Sequence, residues 1–176
     1  MTMVAGSLTA PADPHLRRAL QAIDTATAGL APDAWTTAPP GRWNSAQIVE
    51  HLGKAYGRTV YILEKCLADG LPKGRPASWR QRLFTTLIVD VGYFPSGVQA
   101  PAMTIPEGLS GRDALASARQ ALIELDAAAA QCAVRFGPRV LVANHPMLGG
   151  FTVRQWRRFH WAHTRHHVKQ IARLQA

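Results

Sequence analysis

The sequence predicts an all-α protein: a four-helix bundle, read as four principal antiparallel helices, with an additional short helix and an irregular insert. Three observations carry this. Long segments repeat apolar residues at the helical spacing. Each opens on a residue able to cap a helix N-terminus. No stretch shows the strict alternation of a half-buried strand. At 176 residues and 47 % hydrophobic content the chain is long enough for one domain with its own core. Residues 1–12 read as a flexible leader and 13–176 as a single helical-bundle domain.

The elements follow in order. Asp13-Pro14 is an N-cap with proline at the first helical position, and Leu16, Leu20, Ile23 and Leu30 give a first helix over 14–30. A proline-rich connection, Ala31 to Arg42, leads to Asn44, which with Gln47 makes a capping-box pair. Ile48, Leu52, Ala55, Tyr56, Ile62, Leu63, Cys66 and Leu67 form the apolar stripe of the second helix, with His51 at its edge. Gly53 and Gly57 stand one turn apart and invite close approach of a neighbouring helix. The helix should end near Gly70, before Pro72. Ser78 with Gln81 opens a third helix of roughly 79–93, broken by Gly92, Pro95 and Gly97. Val98 to Leu109 is irregular, the kind of segment that often covers a site. Ser110 with Asp113 caps an alanine-rich fourth helix over 111–133, and Phe136 to Gly150 delivers the chain into the last one.

Composition excludes several classes. The N-terminus lacks the charged start and long apolar core of a signal peptide. The most apolar run, Leu83 to Phe94, is too short to span a bilayer and contains Asp90, so no membrane is expected. Cys66 and Cys132 have no motif spacing and sit in helical apolar patterns, which reads as buried free thiols in a cytoplasmic protein. The net charge of +9 suits an anionic small molecule, but the cations are dispersed and form no nucleic-acid motif, so no nucleic-acid partner is expected.

The last helix, Phe151 to Leu174, carries the chemistry. Thr152 with Gln155 is a capping box, and Phe151 with Trp156 a hydrophobic staple. At about 100° per residue, Trp156, Phe159, His160, His163, His167, Ile171 and Leu174 share one face, and Arg158, Arg165, Lys169 and Arg173 the other. His163 and His167 are one turn apart, in register to converge on a metal ion, and imidazole suits the transition metals. The same residues also suit plain core histidines. His160 and His163 form an alternative pair, and His166 lies toward the edge of the stripe.

These features resemble the DinB-like superfamily, in particular its branch of DinB-like proteins of unknown function. The resemblance rests on Trp43-Asn44-Ser45, Glu50-His51-Leu52, His145-Pro146 with Gly149 or Gly150, Thr152, Trp156, and His163-Thr164-Arg165-His166-His167 with Gln170. It implies a DinB-like four-helix bundle, often dimeric, with a divalent metal held by three histidines, which map to His51, His163 and His167. The metal would be zinc, nickel, iron or manganese, zinc or nickel foremost. His160 departs from the minimal motif and leaves open which pair of the last helix binds.

Three histidine ligands leave a coordination position open. Such a centre fits a thiol-dependent transferase using a low-molecular-weight thiol, or a metal-dependent hydrolase. The alternative is a non-catalytic, metal-stabilised bundle that binds a small molecule or a partner. No carboxylate stands out as a base: Glu50 points off the stripe, and Asp90 and Glu107 have no motif behind them. The open position is expected beside Trp43, Trp156 and the irregular Val98 to Leu109 segment, with Arg42 and Arg154 as either carboxylate holders or surface charges.

Overall fold

The structure, a computed structural model, describes residues 10–94 and 99–176. Residues 1–9 of the expected leader, and Pro95 and Gly97 among the expected helix breakers, lie outside the described residues. The helices are α1 (Pro14–Thr27), α2 (Ser45–Asp69), α3 (Trp79–Thr85), α4 (Gly111–Phe136) and α5 (Val153–Leu174). Each starts where a side chain replaces the missing intrahelical partner of the first N–H groups. Asp13 accepts from the amides of His15 and Leu16, and Ser110 from that of Asp113. Asn44–Gln47, Ser78–Gln81 and Thr152–Gln155 close reciprocal capping boxes. The α2 helix stops at Gly70, whose φ of 68° a residue with a Cβ rarely adopts.

Two segments differ from the sequence reading. The third helix widens after about two turns: α3 runs straight into a π-helical stretch, Thr86–Val91, which ends on Gly92 in the left-handed region. The segment before α5 is not irregular throughout. Ala143–His145 (β1) and Gly149–Phe151 (β2) form an antiparallel hairpin, pairing Ala143 with Phe151 and His145 with Gly149. Residues 73–75 lie along it, with Lys73 and Gly74 donating to Val142 and Leu141, and Gly150 donating to the Arg75 carbonyl. A side chain at Gly150 would collide with that Arg75 backbone, so the close approach requires glycine. Three-residue strands cannot alternate long enough to show in a sequence.

The expected antiparallel order is corrected by the register. Gly53 of α2 faces Ala118 of α4, and further along, the Leu63 carbonyl faces the Cys132 thiol, so α2 and α4 run in the same direction. Asp24 pairs with Arg119 while Asp13 meets Asp126, so α1 runs against α4. Tyr56 meets Thr164 and Thr59 meets His160, so α5 runs against α2. The bundle therefore packs α2 along α4 and α1 along α5. The long 70–110 connection, which contains α3, brings the chain back to begin α4 beside the start of α2. Leu16, Ile23, Ile48, Leu52, Leu63, Leu122, Leu125, Trp156 and Ile171 build a continuous core. Cys66 and Cys132 are buried free thiols. Among the described residues no helix is long and apolar enough to cross a membrane.

Candidate metal centre

The site follows from how α2 and α5 cross. Their opposed directions bring His51, at the second turn of α2, against His163 and His167 of α5. The Nε2 atom of His163 lies 3.3 Å from that of His51 and 3.0 Å from that of His167. The candidate ligand atoms of all three lie within 4.8 Å of one another. Four-coordinate zinc, with bonds of about 2.0–2.1 Å to nitrogen, places its ligand nitrogens about 3.3 Å apart. The spacing fits a metal with modest adjustment.

Proton counting makes the same point. The Nδ1 of His51 lies 2.9 Å from the Thr104 carbonyl, an oxygen that only accepts, so His51 carries its proton there and its Nε2 is bare. The Nδ1 of His167 donates to Gln170 Oε1 at 2.8 Å, while Gln170 Nε2 donates to His166 Nε2 at 3.1 Å, so the Nε2 of His167 is bare as well. Between them stands His163, whose Nδ1 is enclosed without a partner. If His163 carries its proton on Nε2, only one of the two bare nitrogens is satisfied. If it carries it on Nδ1, three lone pairs face one point. A cation at that point satisfies all three.

The electrostatics agree. His51 and His167 are buried, at 4 % and 8 % exposure, and His163 is half-buried. Burial pulls the His51 ring below its ordinary range, against the opposing bond to Thr104. Burial and then the facing rings of His167 and His51 hold His163 well below it. Burial lowers His167 to about 3. All three are therefore neutral near pH 7, the form that ligates. Aromatic rings wall the cluster: Trp43 stands 5.0 Å from His51, while Phe159 and Phe94 stand 5.5 Å and 5.9 Å from His163.

The other candidates separate cleanly. His160 is not in the cluster: it is 1 % exposed, and its Nε2 meets Thr59 Oγ1 at 2.9 Å. His166 stacks on Phe94, packs edge-on against His167, and is hydrogen-bonded to Gln170, but it offers no ring nitrogen to the cluster. His145 sits in β1 among Phe151, Trp156 and Phe159, away from the three clustered rings. Trp156 is corrected as a pocket residue: it is 2 % exposed in the core and stacks on His160. Arg42 and Arg154 are exposed. Asp90 and Glu107 are exposed and engaged, with Arg158 and Lys54 respectively. Glu50 points off the stripe as expected, but it is 2 % exposed and accepts three backbone amides. Burial raises its pKa, and those bonds outweigh that, leaving it lowered.

Sequence reasoning expected the Val98 to Leu109 segment beside the site but did not single out Thr104, and it missed Phe94, because nothing local ties either residue to rings so distant along the chain. Gln170 was within reach, since it stands one turn beyond His167 and a glutamine there can fix the imidazole tautomer. In comparison with known proteins, a family model described as the DinB superfamily matches residues 15–171, all three histidines included. No curated protein and no solved structure matches the chain.

Proposed function

We propose a function from one established premise: this chain belongs to the DinB superfamily. It binds a divalent metal, zinc or nickel foremost, through the Nε2 atoms of His51, His163 and His167, and keeps a coordination position for a small-molecule ligand. The observation that carries this reading is the convergence of three ring nitrogens that cannot all be satisfied by protons. A divalent ion held by three neutral imidazoles keeps its full charge and draws an anionic ligand, lowering the pKa of a bound thiol or water.

The residues around the site favour a low-molecular-weight thiol, and with it thiol-dependent transfer. Glu50, Asp90 and Glu107 are all engaged elsewhere, which leaves none of these carboxylates to act as the base that hydrolysis by activated water would use. A thiol needs no such base, because coordination itself deprotonates it. The walls of Trp43, Phe94 and Phe159 suit the carbon skeleton of such a ligand and shield it from water.

The test is titration with cobalt(II). Wild-type protein should develop the visible ligand-field bands of a low-coordinate site, and His163→Ala should not. Adding low-molecular-weight thiols should then produce a sulfur-to-cobalt charge-transfer band in the near ultraviolet. Full cobalt loading with no such band for any thiol would remove the thiol reading and leave hydrolysis or a non-catalytic metal-stabilised bundle.

A further inference from the structure

We infer that Glu50 and Lys54 form a clamp that positions the ligating nitrogen of His51, by holding residues 104–109 against α2. The inference rests on the metal-centre reading above but is tested apart from it.

Among the described residues, the one hydrogen bond that orients the His51 ring outside the cluster is the bond its Nδ1–H donates to the Thr104 carbonyl, at 2.9 Å. Thr104 ends a single 3₁₀ turn, Ala102–Thr104, and no strand or long helix supports the residues that follow it up to α4. Two side chains of α2 hold them instead. Glu50 Oε1 accepts from the amide of Glu107 at 2.7 Å, and Oε2 from those of Gly108 and Leu109 at 3.0 and 2.9 Å. Lys54, one turn on, donates to the Ile105 carbonyl at 2.8 Å and pairs with Glu107 at 3.0 Å and Glu50 at 3.5 Å.

The geometry explains why neighbouring residues in sequence do different work. Glu50 and His51 leave the helix about 100° apart. One side chain therefore meets the segment from outside the cluster while the other points into it, and both close on the same short stretch of chain. A buried carboxylate with three amide donors and a lysine is a strongly satisfied arrangement. Loosening it would free Thr104 to withdraw, and the His51 proton would lose its acceptor. His167 supplies an internal control, because Gln170, within α5 itself, orients it. Glu50 and Lys54 stand outside the three-histidine cluster and act on it through residues 104–109, so they are positioning residues.

The experiment compares wild type with Glu50→Gln by ¹⁵N-edited NMR of the histidine rings and by competition titration with zinc. An amide oxygen cannot accept all three amides that the carboxylate accepts, so the segment should loosen while the side-chain size is kept. In the metal-free protein the Nδ1–H form of His51 should give way to a tautomer mixture, while His167 keeps its Nδ1–H. Zinc affinity should fall by about 10–100-fold. Lys54→Met, which removes only the half-buried lysine of the clamp, should shift both readouts in the same direction by less and covers the case in which Glu50→Gln fails to fold. A lowered melting temperature with the His51 tautomer and zinc affinity unchanged in the folded variants would overturn the proposal, as would equal losses at His51 and His167. Wild-type protein that takes up no zinc would sink the metal-centre reading, and the metal-free tautomer comparison would still decide the clamp.

Discussion

His160 and His163 stand one turn apart on α5 and meet different residues of α2. His160 faces the Thr59 hydroxyl, and His163 faces His51. Replacing His160 with alanine should leave metal uptake intact and cost stability, by roughly 2–4 kcal/mol for an emptied buried site. Replacing His163 with alanine should abolish stoichiometric metal uptake. Elemental analysis beside thermal melts separates the two, and metal lost from His160→Ala but kept in His163→Ala would invert the assignment. The sequence placed His160, His163 and His167 on one face because helical spacing is a local property. It left the pair open because the choice depends on what stands opposite, and that is set by the register of α2 against α5. The residues that orient the ligands divide the same way: Gln170 is one turn from His167, whereas Thr104 lies 53 positions from His51.

At the scale of elements, the capping boxes at Asn44, Ser78 and Thr152 were legible because cap and partner are three residues apart, and all three are formed. The Gly53 and Gly57 pair was legible only in half. Gly53 lies against the Ala118 backbone, where an added Cβ would come within 3.3 Å, while nothing lies within 4 Å of a Cβ at Gly57. Two substitutions should therefore move in opposite directions. Gly57→Ala should stabilise the protein by about 0.5–1 kcal/mol through helix propensity. Gly53→Leu should destabilise it by about 1–3 kcal/mol, because it forces α2 and α4 apart. Denaturant melts would measure both, and a stabilising Gly53→Leu would contradict the packing described. Helix direction was not legible. Capped amphipathic segments look the same in either direction, and the 70–110 connection is long enough to return the chain. The polar face of α5 has a neighbour that spacing along one helix cannot show: Arg158 pairs with Asp90 and Arg165 lies beside Gly92, so the π-helical stretch leans on that face.

For the whole molecule, the buried histidines set a pH dependence. Burial lowers His160 to about 3 and His145 to about 4. Unfolded, each titrates near the ordinary value of about 6.5. Above that pH both states are neutral and stability does not change. Below it the unfolded chain takes up protons that the folded chain refuses, so stability falls by up to about 1.4 kcal/mol per pH unit per group, until the pH reaches the folded value. Melting temperatures of chelator-treated protein should be flat above roughly pH 6.5 and fall steadily below it. A flat profile through the weakly acidic range would contradict the burial of these rings. The apolar core is continuous without any metal, so a chelator should lower the melting temperature of metal-loaded protein while a cooperative transition remains. The central claim is that His51, His163 and His167 are one metal site, and elemental analysis after loading with zinc or nickel and desalting tests it most directly. Wild type should retain one ion per chain, and the double variant His51→Ala, His167→Ala should retain none above background. Equal metal in the two proteins, or none in wild type under any loading, would contradict the claim.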